Sequence, residues 1–261
     1  MALPEYLDDP FKYSSLDGVT DVADIITEFR AVALSETSPT WTEPSAGLFR
    51  TPTDAAGRWF DILLTATSAT ILTVRMRDSA GTTVREGRLY IDAGGSKTHI
   101  VVGAHFYDIL TELAAGHEYA TGGVFDMYPE AQDSVSVPRQ HYGKTYRSTA
   151  GTAESSYVGF YAYTWGTTTY GLRMAFWTTN MERNVGSTII LTSVYSGAYL
   201  YFQIHGTSYD NRRLGCVYNH VYGNASIAAG SIVTVTVGGV AVQFLATRMS
   251  TNGFRIFVRI A

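Results

Sequence analysis

Apolar residues recur at helical spacing only once early in the chain, at Val22, Ile25, Ile26, Phe29 and Val32. Thr20-Asp21 supplies an N-cap and Asp24 an acidic first turn, so the pattern predicts a helix from about Asp21 to Leu34, ending before Ser38-Pro39. A polar, proline-punctuated loop is expected over Glu36 to Ala56. From Arg58 onward the period shortens. Trp59 to Thr65, Thr70 to Arg77 and Thr82 to Ile91 read as strands, separated by turns at Thr67-Ser-Ala69 and Asp78-Ser-Ala-Gly81. Alternation in the second strand places Leu72, Val74 and Met76 on its buried face. Thr98 to Val102 is a further strand, and Phe106 to Ala115 fits either a short helix capped by Gly116 or another strand.

Beyond residue 156 the pattern predicts strands throughout: Tyr157–Trp165, Tyr170–Thr178, Ser187–Val194, Ala198–His205, Arg213–Tyr218, Ser231–Val237, Ala241–Arg248 and Phe254–Ile260. Their connections are short Gly/Asn/Ser turns such as Gly238-Gly239, and no proline interrupts them. The fold class is therefore mainly β: an N-terminal arm and one helix with a small antiparallel β domain, then an antiparallel sandwich or jelly-roll-like domain. The corresponding division is an extended arm over 1–20, a helix-plus-β domain over 21–135, a linker over 136–156 and a β-sandwich domain over 157–261. The linker assignment rests on Pro129, Pro138, Gly143 and Gly151 among many Ser and Thr.

Charge sharpens that division. Residues 1–138 hold twenty Asp/Glu against nine Lys/Arg, whereas residues 139–261 hold three against ten. All seven prolines fall in the acidic part and twelve of eighteen tyrosines in the basic part. Such a break predicts two modules with different surfaces, and head-to-tail attraction between copies. Lysine is confined to Lys12, Lys97 and Lys144, so arginine dominates the cations and favours planar hydrogen bonding.

Candidate chemistry is sparse. The lone Cys216 excludes an intramolecular disulfide and a cysteine zinc site, and reads as a small apolar residue in a strand. His99, His105, Asp108, His117 and Glu118 cluster in sequence, but their spacing matches no zinc motif, so no metal and no cofactor is expected. Asp8-Asp9 lie in an arm too flexible to hold a glycosidase pair, and no Gly-x-Ser-x-Gly elbow occurs, so the expectation is a protein that is not an enzyme. The opening residues have no basic, apolar leader pattern, so synthesis in a cytoplasm is expected, and no apolar run reaches bilayer length, so membrane insertion is not.

Aromatic density is the remaining signal. Tyr161, Tyr163, Trp165, Tyr170, Arg173, Arg183, Tyr199, Tyr201, Tyr209, Arg212 and Arg213 form a candidate interaction surface suited to subunit contact or sugar stacking. Tyr6, Phe11 and Tyr13 are anchor points of a candidate docking arm. Nucleic acid is disfavoured, because the basic residues are scattered and the whole chain is acidic.

The proline-punctuated arm and helix, the stretch Gly57 to Leu64 (GRWFDILL) leading into Val74 to Gly81 (VRMRDSAG), and the Thr/Tyr/Gly-rich C-terminal half together resemble virion structural proteins of tailed bacteriophages. The resemblance implies a tail, neck or baseplate component, made in the host bacterial cytoplasm and incorporated in the virion. Its expected partners are other virion proteins and further copies of itself, with docking through the N-terminal part. The alternative it leaves open is a receptor- or glycan-binding β-sandwich module of a tail fibre or spike, directed at a host surface glycan.

Overall fold

The computed structural model describes residues 3, 7, 9–35, 41–53, 59–77, 83–104, 106–113, 118–122, 127–129, 142–149, 152–159, 162–165, 168–173, 200–208, 213–223, 227–249 and 255–261. In chain order the elements begin with β1 (Lys12–Val19), α1 (Val22–Ala33), β2 (Thr42–Ser45), β3 (Leu48–Arg50), β4 (Asp61–Ser68), β5 (Ile71–Arg77) and β6 (Thr83–Tyr90). Next come β7 (Ser96–Gly103), β8 (Phe106–Glu112), β9 (Glu118–Gly122), β10 (Met127–Pro129), β11 (Tyr142–Thr149), β12 (Thr152–Gly159) and β13 (Ala162–Trp165). The chain closes with β14 (Thr168–Arg173), β15 (Leu200–Ser208), β16 (Arg213–Gly223), β17 (Ile232–Val237), β18 (Val240–Met249) and β19 (Arg255–Arg259). The protein is mainly β and its strand pairs are antiparallel, as the periodicity requires. Among the described residues no helix is long and apolar enough to cross a membrane.

These elements fall into two compact units whose boundaries do not follow the chain. A helix-bearing unit comprises Lys12–Val124 and Gly143–Val158; a terminal unit comprises Met1–Phe11, Phe125–Tyr142 and Gly159–Ala261. These boundaries differ from the sequential division into 1–20, 21–135, 136–156 and 157–261. The expected linker holds β11 and most of β12, and the second half of the expected arm is strand β1. Pro and Gly density had suggested a linker, but β11 pairs with β9 from Lys144↔Gly122 to Ser148↔Glu118, so backbone pairing outweighs local composition.

The charge break is also redistributed. Counted by unit, the helix-bearing part carries 15 Asp/Glu and 11 Lys/Arg, and the terminal part carries 8 of each. Net charges of −4 and zero replace the sequence split, because Glu5, Asp8, Asp9, Asp126, Glu130 and Asp133 belong to the same unit as the basic C-terminal segment. The two units are not an acidic module and a basic one.

In the helix-bearing unit, one sheet runs β1-β7-β8-β9-β11-β12 and the other is the meander β2-β3-β4-β5-β6. The meander and α1 are inserted between the neighbouring strands β1 and β7. Helix α1 begins where the sequence predicts: the Asp21 carboxylate accepts from the Ala23 amide at 2.9 Å, and the otherwise orphaned Val22 amide donates to the Ala69 carbonyl at 2.8 Å. Its stripe buries Val22, Ile25, Phe29 and Val32, while Ile26 is half-buried. The helix packs on β1 and β7 of one sheet and on β4 of the other.

Phe29 lies where these surfaces meet. Its fully buried ring makes edge contacts with Phe49 of β3 at 4.9 Å, Trp41 at 5.8 Å and Tyr107 of β8 at 6.0 Å between centroids. Trp41 is fixed in turn by an indole donation to the Gly103 carbonyl at 2.8 Å. Leu72, Val74 and Met76 of β5 are buried as the alternation predicts. The segment expected to be loop over 36–56 instead contains the β2–β3 hairpin. Its turn is held from the side by α1, since Arg30 donates from Nε and Nη2 to Glu43 at 2.7 and 2.9 Å, and Glu43 also accepts from the Gly47 amide. Gly47 has φ +75°, and a Cβ there would stand 2.8 Å from the Leu64 carbonyl oxygen, so only glycine fits this approach. Phe106 to Ala115, ambiguous in sequence, is strand β8 over its first seven residues; both faces of that strand are buried, which erases the alternation.

The terminal unit is built on the eight-stranded sheet β13-β14-β15-β16-β19-β18-β17, with β10 pairing on β16. Val221, Val235, Val237, Val242, Phe244, Ala246 and Phe257 form its core, and Leu7 from the N-terminal segment is buried among them. The expected strand at Ser187–Val194 lies outside the described residues.

Two substitutions test these cores. Phe29→Ala should destabilise the helix-bearing unit by about 3–5 kcal/mol, read by loss of amide-exchange protection in α1, β3 and β8. Leu7→Ala should cost the terminal unit about 2–5 kcal/mol, with protection lost in β17, β18 and β19. Unchanged protection in either case would mean that the ring or side chain is not part of the core described.

Candidate functional site

The most organised polar cluster crosses the first three strands of the larger sheet in the helix-bearing unit. β1 pairs with β7 and β7 with β8, so Tyr13, His99 and Glu112 reach one side of that sheet. The register places Ser15 opposite His99 and His99 opposite Leu110, with Lys97 opposite Glu112. His99 is 1% exposed. The Tyr13 hydroxyl meets its Nδ1 at 2.9 Å, and its Nε2 meets Glu112 Oε1 at 2.5 Å. Tyr13 also lies nearly parallel to the imidazole, with centroids 6.1 Å apart.

This order of groups, carboxylate to imidazole to hydroxyl, is the order found in a general-base relay. Its chemistry is nonetheless restrained. A neutral imidazole donating from Nε2 to Glu112 leaves Nδ1 to accept from Tyr13, so both ring nitrogens are engaged within the protein. Burial pushes the His99 pKa below its usual value, while hydrogen bonding to Glu112 and its charge pull the other way. The ring is therefore held neutral and oriented, and it clamps β1, β7 and β8 together.

Asp108 is buried on β8 opposite Val101, and Glu118 on β9 stands opposite Glu112 in the register. His105 and His117 lie outside the described residues. Among the described residues, no three His, Cys, Asp or Glu side chains come together as metal ligands. Cys216 lies in β16, opposite Tyr128 and His205.

A second polar pair sits on the meander. Arg50 donates from Nε and Nη2 to the two Asp61 oxygens at 2.7 and 2.8 Å, across a directly opposed register position. The guanidinium also covers the Trp59 ring at 4.8 Å, and its pKa is raised chiefly by the hydrogen bonding to Asp61. Such a two-point pair fixes strand register.

The two described residues of the candidate docking arm, Phe11 and Tyr13, make different contacts. Phe11 packs edge-on against His220 at 5.8 Å, and its amide donates to the Arg259 carbonyl at 3.2 Å. Tyr13 belongs to β1 and to the His99 relay. Tyr6 lies outside the described residues. Phe11 is thus packed within its own chain, and nearby the side-chain amide of Asn219, whose φ of 57° asparagine tolerates, donates to the Asp9 carbonyl.

Of the candidate interaction surface, Tyr163 and Trp165 belong to β13, Tyr170 and Arg173 to β14, Tyr201 to β15 and Arg213 to β16. Tyr163 pairs with Tyr170, while Thr207 is opposed by Arg173 on one side and by Arg213 on the other. Tyr161, Arg183, Tyr199, Tyr209 and Arg212 lie outside the described residues. Sequence reasoning passed over Tyr13 as a histidine partner, and no local signal could have found it, because the contact joins residues 86 positions apart.

The lowered His99 pKa sets a pH dependence. In the unfolded chain His99 begins to protonate near its ordinary value of 6.5, while the folded ring resists, so its stabilising contribution is complete above that pH and is lost as the pH falls below it. Chemical denaturation of the wild-type chain at about pH 7.5 and about pH 5.5 should show a larger loss than in His99→Gln. An equal loss in both would remove His99 from the acid response. Compared with known proteins, the chain matches no family model and no curated protein.

Proposed function

We propose that this chain is a non-enzymatic structural and assembly protein of a bacteriophage particle, in its tail, neck or baseplate. The observation that carries the proposal is the architecture: two antiparallel β units, with the N-terminal segment and the C-terminal sheet folded together in one of them. A unit whose core joins Leu7 to strands β16 to β19 resists being pulled apart, which suits a part locked into a particle. Scarce lysine and abundant tyrosine and arginine agree with a surface covered by neighbours. Docking in this reading uses sheet edges and faces; Leu7 and Phe11 are already spent inside the terminal unit. Net charge does not drive it, since the units carry −4 and zero. Localisation is the virion, after synthesis in the host bacterial cytoplasm.

A second reading, recognition of a host surface glycan, draws on one observation. Register sets Tyr163 against Tyr170, with Trp165 two positions along, at the β13 edge of the large sheet. Aromatic positions grouped at a sheet margin suit stacking on sugar rings.

Mass spectrometry of gradient-purified particles from the source lysate tests the first reading. The chain should be recovered in stoichiometric amounts with the other particle proteins, and its absence would end the proposal. Binding of the full-length chain to whole bacterial cells, competed by cell-wall or capsular glycan, would move the second reading into first place.

A further inference from the structure

Every sheet edge is a row of unpaired backbone groups, and proteins blunt such edges with charge, proline, bulges or shortness. Among the described strands, six of the seven sheet edges carry such a device. β1 has Lys12, Asp17 and a register shift after Leu16; β2 has Glu43, Pro44 and a shift. β6 has Arg85, Glu86 and Arg88, β12 has Glu154, β13 is four residues long, and β10, paired on β16 alone, is three residues long and ends in Pro129. The remaining edge, β17, has none. Its sequence, Ile-Val-Thr-Val-Thr-Val, is β-branched at all six positions and contains no charge and no proline. Its pairing with β18 runs without a shift from Ile232↔Leu245 to Val237↔Val240. Gly238 and Gly239, at φ +58° and +89°, close the hairpin in the left-handed conformation that keeps two strands in register.

The hairpin is exposed as well as unblunted. Among the described residues, the exposed large hydrophobic side chains are Ile232 at 47% and Val240 at 43%, and both belong to it. Ile232 shares its face with the uncharged, exposed Thr234, Thr236, Ala241 and Gln243, while Val240, opposite Val237, lies on the face that Val235 and Val242 anchor in the core. No described strand pairs with the outer side of β17.

We propose that β17 is a self-association edge, pairing antiparallel with β17 of a second copy of this chain across a two-fold axis. A copy of the chain is the occupant because the strand is compatible with itself: no like charges become opposed, and every position offers a β-branched side chain to its neighbour. The faces must also match. Opposed residues in an antiparallel pair lie on the same side of the sheet, so the axis passes through a residue rather than between two. Centred on Thr234, it sets Thr234 against Thr234, Val233 against Val235 and Ile232 against Thr236, and joins both sheets into one. The proposal deepens the assembly reading by naming one contact it would use.

Thr234→Lys tests it, because Thr234 is exposed and the substitution places two ammonium groups opposite one another only if the pairing exists. Sedimentation of the full-length chain across a concentration series should show dimers or larger species for the wild type. Thr234→Lys should raise the dissociation constant by about tenfold or more, with an unchanged circular dichroism spectrum. Thr65→Lys, at an exposed position of β4, should leave association unaltered. Hydrogen exchange should show protection of β17 amides that fades on dilution in the wild type alone. A monomeric wild type, or β17 amides whose protection ignores dilution, overturns the edge. Association that survives Thr234→Lys also overturns it but leaves the assembly reading standing, whereas absence of the chain from particles ends that reading without touching the edge.

Discussion

The helix-bearing unit depends on the burial of one ring. Phe29 projects from α1 and touches Phe49 of the meander, Tyr107 of the larger sheet and Trp41, which immediately precedes β2. Rings meeting edge to face combine a large apolar area with favourable quadrupole geometry, so this cluster orients three elements at once. The remaining polar ties act from its margins: Arg30 to Glu43 positions the β2–β3 turn, and the Trp41 indole bonds the Gly103 carbonyl. Without the ring, β1 and β7 would still pair, but the meander inserted between them would lose its common anchor.

Connectivity imposes the other constraint. The terminal unit is assembled from three stretches of chain, and Leu7 lies in a core whose other members begin at Val221. Contacts at that sequence separation form late and carry a loop-closure cost, which the apolar burial of Leu7 and its neighbours must exceed. The same arrangement gathers acidic N-terminal residues with the basic C-terminal segment, so a sign break that is conspicuous along the sequence is absent when charge is counted by folded unit. Charge patterning along a chain describes modules only where modules are continuous.

The polar chemistry follows the same logic of clamping. His99 is held neutral between Tyr13 and Glu112 and spans three strands, and Arg50 with Asp61 spans two. Both arrangements use groups that elsewhere perform catalysis, yet here both His99 ring nitrogens and both Asp61 oxygens are engaged by neighbouring side chains. An assembly reading places the exposed chemistry elsewhere, on sheet margins, where β17, unlike β1, β2, β6 and β12, lacks charge, proline and bulge.

The sequence by itself determined the local elements: α1 with its Asp21 cap, the buried face Leu72-Val74-Met76, and the Gly238-Gly239 hairpin. Each is encoded within a few residues, by periodicity or by a turn that only certain residues adopt. Where both faces of a strand are buried, as in β8, the periodicity vanished and helix and strand became indistinguishable. Tertiary structure alone decided that β11 and β12 are strands, that Tyr13 and Glu112 bracket His99, and that the N-terminal segment belongs with the C-terminal sheet. Those outcomes rest on pairings between residues tens to hundreds of positions apart, whose free energy arises from burial and backbone hydrogen bonding after the chain has closed, and no local pattern records it.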